Sequence, residues 1–487
     1  MKDCFGIFVA LGIICMPQAV FGQITALSQS AKAQKPDSER SVQIVLHPAP
    51  AAQPALKYQL LPPFTERRPG NAAVWWNRLP AEQTEFFTAF NKEGGVGETV
   101  GKWMEIPLGN PREKANRPKA GDLLNPSLLS GMERAARFES CDWELPFHEG
   151  GVIEMLLPEL QQTRTYGRML SAKARLEIAE GKYDQAVRTL QNGFALARDV
   201  GKAPTMIHAL VGTAIAGMML DRVREMIQQT DCPNLYWALS MLPRPPVDFR
   251  PGFEAESSML YLEFPDLQGL DKKQMPPEEW RELLLKLCNK LGQWGGGGFP
   301  RETGALLVTG LSLQGYPRAK QYLVEHGRSA SEVEAMPVAQ VVLLYTMHIF
   351  DELGNDQFKW LFLPYGEARQ GIERNERNLR EALDLDREII PVARLMLPAV
   401  QACKNAETRS IWSVAQLRIL EALRLYAAAH GGLPEELGAI SEVPIPANPF
   451  DGKPFTYHRD GDKAELGCEA GPRGLPWGME ITLDHAK

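Results

Sequence analysis

Apolar positions recur at steps of three and four along much of this chain, the spacing that gathers side chains on one face of an α-helix. The pattern is clearest between Thr163 and Val200. Tyr166, Leu170, Ala174 and Ile178 fall four apart, Gly181 interrupts, and Tyr183, Ala186, Leu190, Phe194 and Ala197 resume the stripe. Two helices joined by a tight turn are therefore predicted, with Gly181, Tyr183, Ala186 and Leu190 as structural residues of the pair. Ala203 to Leu220 is almost continuously apolar, which raises the question of a membrane span. The small Gly212, Ala216 and Gly217, and the charged Asp221-Arg222 and Arg224-Glu225 that follow, favour a helix packed closely in a protein core, with His208 as a hydrogen-bonded core residue. Upstream, Leu79-Pro80 before Glu82, Phe86, Phe87 and Phe90 predicts a helix with Pro80 near its first turn and a stop at Gly94-Gly95.

Pro243, Pro245 and Pro246 mark a joint, after which Pro276-Pro277-Glu278-Glu279-Trp280 opens a helix ending near Gly292. Trp294 to Pro300 reads as a glycine loop. Ser331–Leu353 and Glu373–Leu397 read as further helices, the second with i,i+4 pairs Glu373/Arg377 and Glu376/Arg380 on a solvated face. Trp412, Ala415, Ile419, Ala422 and Tyr426 stripe a last helix that His430-Gly431-Gly432-Leu433-Pro434 ends. The period then changes: Phe455–Arg459, a turn at Asp460-Gly461-Asp462, Lys463–Cys468 and Met479–Leu483 predict a hairpin plus a third strand. The fold class expected is mainly α: helical hairpins or a degenerate helical repeat array, with a small C-terminal α+β subdomain of one helix and a three-stranded antiparallel sheet.

The N-terminus has a different grain. Cys4 to Met16 is an apolar run too short to span a bilayer, Pro17 breaks it, and Val20-Phe21-Gly22 fits a signal-peptidase site, so a signal peptide over 1–22 is expected. Ile14 before Cys15 disfavours lipidation. From 23 to 60 the text is rich in Ser, Gln, Ala and Pro, which reads as a flexible tether that also admits a first strand at Val42–Leu46. A helical domain over 61–242, a second helical region over 243–405 and the C-terminal subdomain over 406–487 complete the expected organisation.

Parts of this pattern resemble known families. Gly181-Lys182-Tyr183-Asp184-Gln185-Ala186 resembles the turn and second helix of a tetratricopeptide unit over about 167–200, departing from it at Lys173, Glu177 and Gly193. One such unit cannot bury its own face, so the resemblance implies stacked neighbours such as Ala203 to Met226. Leu425 to Pro434 followed by Asn448-Pro449-Phe450-Asp451-Gly452-Lys453-Pro454-Phe455-Thr456-Tyr457 is similar to the globular end of major pseudopilins of type II secretion, over about 410–485. The chain as a whole, through Pro54-Ala55-Leu56-Lys57-Tyr58, Gly70-Asn71-Ala72-Ala73, Cys141-Asp142-Trp143 and Asn234 to Leu239, resembles exported proteins of unknown function from planctomycete-type bacteria. That resemblance implies an exported, periplasmic or envelope-associated protein.

Composition narrows the partners. The 487 residues carry 44% hydrophobic and 23% charged side chains and a net charge of −7, a core-forming chain without an electrostatic footprint for nucleic acid. After the signal, Cys141, Cys232, Cys288, Cys403 and Cys468 remain, an odd set in which neither a disulfide framework nor zinc spacing is legible.

No motif commits the chain to a reaction. Gly95 to Trp103 misses the first glycine and the hydroxyl of a phosphate loop, and Gly310 to Gly315 is one residue too long for a nucleophile elbow. Cys141, Asp142, Glu144, His148 and Glu149 form the densest reactive group. It offers a thiol and an imidazole whose spacing does not guarantee a hydrogen bond, against a structural reading in which Asp142 caps and Cys141 and Trp143 are buried. Asp451, Asp460 and Asp462 are read as turn formers rather than calcium ligands. No cofactor and no metal are expected. The function expected is an exported helical scaffold that binds protein, without a membrane span once the signal is removed. A hydrolase or other enzyme with its site near Cys141 and His148 is the alternative, and a pseudopilin-related component of envelope or secretion assembly is a further one.

Overall fold

The computed structural model describes residues 42–147, 151–294, 301–384, 387–397, 400–471 and 476–485. The signal read at 1–22, the whole of 23–41, His148, Glu149 and the glycines of 295–300 lie outside them. In chain order the elements are β1 (Val42–Leu46), β2 (Arg68–Asn71), α1 (Ala72–Glu82), α2 (Thr84–Asn91), α3 (Val96–Met104), α4 (Pro111–Ala115), α5 (Ala120–Leu123), α6 (Pro126–Ala135), β3 (Phe138–Ser140), α7 (Pro158–Ala179), α8 (Tyr183–Gly201), α9 (Met206–Met226), α10 (Tyr236–Ser240) and α11 (Arg250–Glu263). There follow α12 (Pro277–Trp294), α13 (Arg301–Glu325), α14 (Ala330–Ala335), α15 (Val338–Phe358), α16 (Tyr365–Asp384), α17 (Val392–Met396), α18 (Val400–His430), β4 (Thr456–Asp460), β5 (Lys463–Cys468) and β6 (Trp477–Leu483). The chain is mainly helical with a small C-terminal antiparallel sheet, as the periodicity predicts.

Two compact units result. One comprises 146–155 and 256–401, the other 41–145, 156–255 and 402–487. This division departs from the sequential one because strand pairing joins distant parts of the chain. β1 lies parallel to β6, with Val42 opposite Met479 and Leu46 opposite Leu483, so the sheet has four strands in the order β1-β6-β5-β4. The 23–60 stretch read as a tether is therefore ordered from Val42 on, and Leu46, Ala49 and Leu60 are buried.

The larger unit is built on α7, α8 and α9. Pro158 opens α7 at a position where its missing N–H is not needed. The predicted turn follows: Gly181 takes φ +71°, and the Gly181 and Lys182 N–H groups close onto Ile178 and Glu177 carbonyls at 3.0 and 2.8 Å. Thr205 caps α9 by accepting the His208 N–H at 3.1 Å. By length and composition α9 could cross a membrane, yet 56% of its apolar window is buried inside the protein. In the sheet, Ala464, Leu466 and Cys468 of β5 and Met479, Ile481 and Leu483 of β6 form the buried face, and Asp460-Gly461-Asp462 makes the hairpin turn with Gly461 at φ +61°.

In the smaller unit α15 is the core helix, buried continuously from Val341 to Met347. Three predicted helices change their bounds. Pro80 falls in the last turn of α1, and the phenylalanines belong to a separate α2. Pro337 splits Ser331–Leu353 into α14 and α15, since the residue before a proline avoids the helical region. Glu373–Leu397 breaks before Pro391 into α16 and α17, and Glu373 pairs with Arg369 at 2.9 Å, whereas Glu376 keeps Arg380 at 3.9 Å.

Candidate interaction surface

The residues singled out for chemistry are used as ties. Cys141 is buried, and burial together with the Asp199 carboxylate pushes its thiol well above the usual range, the opposite of an activated nucleophile. Its neighbours close a turn instead of capping a helix: Asp142 Oδ1 accepts the Glu144 N–H at 2.9 Å, and Asn71 bonds both the N–H and the carbonyl of Asp142 at 2.9 and 2.7 Å. The Trp143 indole donates to the Asp199 carbonyl at 2.8 Å. We expect Cys141 to label slowly with a thiol reagent in the folded protein and rapidly in denaturant. Fast native labelling that is lost on replacing His148 would move the chain toward the enzyme reading.

His208, fully buried, has both ring nitrogens engaged, Nδ1 with Thr205 Oγ1 at 2.6 Å and Nε2 with Glu159 Oε1 at 3.1 Å. Of the structural residues read in the hairpin, Gly181 makes the turn, Ala186 and Leu190 have no exposure, and Tyr183 is only part-buried, its hydroxyl donating to the Thr230 carbonyl at 2.7 Å. Gly95 to Trp103 is the α3 helix and its cap, and Gly310 to Gly315 lies inside α13. Asp451 accepts the Lys453 N–H at 3.0 Å beside Gly452 at φ +72°, a turn. Among the described residues no group of three or more His, Cys, Asp or Glu is arranged to hold a metal, and the five cysteines from Cys141 on are free thiols.

In the smaller unit a cleft of about 610 Å³ opens between α15 and α16. Its charges are largely neutralised by one another, Glu352 by Arg387 at 3.2 Å and Asp356 by Lys359. In the same unit Tyr261 donates to Asp351 at 2.6 Å, and Asp271 holds His348 at 3.0 Å and Arg328 at 2.7 Å.

A different face of the larger unit is built outward. Trp75 and Trp76 are neighbours on α1, and the 100° between successive helical residues sends them apart. Trp76 turns in, its indole donating to the buried Asp199 carboxylate at 3.2 Å and its ring stacked on Tyr166. Trp75 turns out. The Arg134 guanidinium from the last turn of α6 lies 4.0 Å from its ring centroid, that of Arg78 lies at 4.7 Å, and Phe138 of β3 stacks at 5.8 Å. Cation–π attraction holds each guanidinium against the ring and leaves its N–H edge free to donate. Arg68 stands opposite Phe138 in the parallel β2–β3 pair. Phe64 is 77% exposed and Val74 48%. Arg78 is bound by Glu82 at 2.7 Å, whereas among the described residues Arg68 and Arg134 carry no ion pair.

This face was not singled out in the sequence. Its one local sequence signal is Arg78 at helical reach of Trp75 within α1; Arg134 lies far along the chain. The chain was also compared with protein families, curated proteins and solved structures, and no match was found in any of the three.

Proposed function

We propose that the chain is an exported helical scaffold that binds protein through the Trp75 face. The observation that carries this reading is the exposure of Val74 beside a tryptophan held against two arginines, since aromatic and arginine side chains are the types enriched where proteins bind one another. The burial of Cys141 and the rise of its thiol above the usual range support a binding role over a hydrolase that would use it as nucleophile. Export rests on the Cys4–Met16 run and the Val20-Phe21-Gly22 site. A link to pseudopilin-type envelope assembly draws support from the helix, glycine break and antiparallel sheet of the last section.

The test is site-specific photocrosslinking in the native cell envelope, with the probe at Val74 and a control probe at the exposed Glu465 of β5. Protein adducts at Val74 and none at Glu465 are expected. No adduct at Val74, or equal adducts at both, would remove the basis for the reading.

A further inference from the structure

The face at Trp75 carries more information than exposure, because two of its cations are unpaired. Of the guanidinia Arg68, Arg78 and Arg134, Arg78 is held by Glu82, whereas among the described residues Arg68 and Arg134 carry no ion pair. These unpaired cations sit on a chain whose net charge is −7, so they are a feature of the patch and not of the whole surface. Arg134 is held over the indole at 4.0 Å, which limits the places its guanidinium can take before any ligand arrives. A guanidinium held in that way suits bidentate contact with a carboxylate and loses less freedom on binding than a free one. Val74, open to solvent and next to Trp75 on α1, adds apolar surface beside the arginines that water covers poorly.

Resting on the scaffold reading above, we infer that the occupant of this face is an acidic peptide segment of a partner protein, with carboxylates on Arg68 and Arg134 and an apolar side chain against Val74. Charge complementarity selects the acidic residues. The overall negative charge of the chain opposes the alternative of a nucleic-acid strand, whose affinity would come from long-range attraction to many phosphates. A peptide needs only the local patch.

The probe is a fluorescein-labelled peptide of Asp and Glu with one central Leu, titrated with the full-length chain and followed by anisotropy. The same peptide with Lys for every acid, the same with Ser for Leu, and a labelled oligothymidylate form the comparison arms. The acidic Leu peptide should bind tightest, and its affinity should fall as salt is raised. Arg68→Gln/Arg134→Gln should weaken it about tenfold, the scale expected for losing two close charge contacts, with an unchanged melting temperature. If the double variant melts lower, Arg134→Gln alone is read, with about half that effect in free energy. Val74→Ser should abolish the difference between the Leu and Ser peptides. Absence of peptide binding, unchanged binding by the Gln variants, or tighter binding of the oligothymidylate would each overturn the inference. If the peptide fails while crosslinking at Val74 persists, the acidic chemistry falls and the scaffold reading stands.

Discussion

Arg424→Ala is expected to lower the stability of the folded chain by about 3–5 kcal/mol, the scale for leaving one member of a buried ion pair alone. Arg424 and Glu421 on α18 have no exposure. The guanidinium donates to Glu421 Oε2 at 2.8 Å, to the His47 carbonyl at 2.9 Å and to the Cys232 carbonyl at 2.7 Å, so one side chain holds the last helix, the chain after β1 and the loop before α10. Glu421 in turn accepts the Leu235 N–H at 2.9 Å. Removing the arginine strands a carboxylate and two carbonyls without water.

The pH dependence follows from the same geometry. Burial already pushes the Glu421 carboxyl up, and Arg424 and the Leu235 N–H pull it back, so the variant raises it further. A carboxyl raised in the folded state contributes stability that is fully present below the ordinary carboxylate range and is lost as pH rises through the folded value. The penalty of Arg424→Ala should therefore shrink on acidification from pH 8 toward the ordinary carboxylate range. Urea denaturation across that range measures it, and a penalty independent of pH would show that Glu421 does not depend on Arg424. Glu421→Leu/Arg424→Leu, which removes both charges, should cost less than Arg424→Ala alone.

Elements whose signal is local were legible in the sequence. The α7–α8 hairpin rests on a stripe of four-residue spacing and one glycine that takes positive φ, and β4 and β5 bracket a short Asp-Gly turn within a residue of the bounds read from alternation. The parts that were not legible depend on partners far along the chain. Val42–Leu46 was admitted as a strand within the stretch read as a tether, but its partner was not: β1 pairs with β6, and no pattern within 23–60 contains that information. Pro80 is compatible with either end of a helix by composition. It closes α1 because Asn71 caps the start by accepting the Ala73 N–H, and that puts the proline in the last turn. The proposed interaction face was missed for the same reason: Trp75 and Arg134 meet only when α6 packs on α1, and periodicity treats Trp75 and Trp76 alike until the buried Asp199 claims one of them. His208 was legible as a core histidine, because a lone imidazole on an apolar stretch needs buried partners, here supplied by Thr205 and Glu159.

The second large effect is expected at Gly212, where α8 and α9 approach too closely for a side chain. A Cβ there would stand 2.6 Å from the Ala197 carbonyl oxygen and 3.2 Å from the Gly201 nitrogen. Both are backbone atoms of α8, so neither can rotate away, and the helices would have to separate. Alanine in place of glycine gains about 1 kcal/mol of intrinsic helix preference, but overpacking against backbone costs more. We expect Gly212→Ala to destabilise by a net of about 2–3 kcal/mol. Gly217, on the same helix, is the internal control. An added Cβ there meets nothing within 4 Å, so Gly217→Ala keeps the helix gain and should raise stability by up to about 1 kcal/mol. The two variants differ only in which face of α9 receives the methyl group, and denaturation midpoints measured side by side separate packing from propensity. Equal midpoints would mean that α8 does not lie at the described distance from α9, and that the close packing expected of Gly212 in this apolar stretch is not what holds the helix in the core.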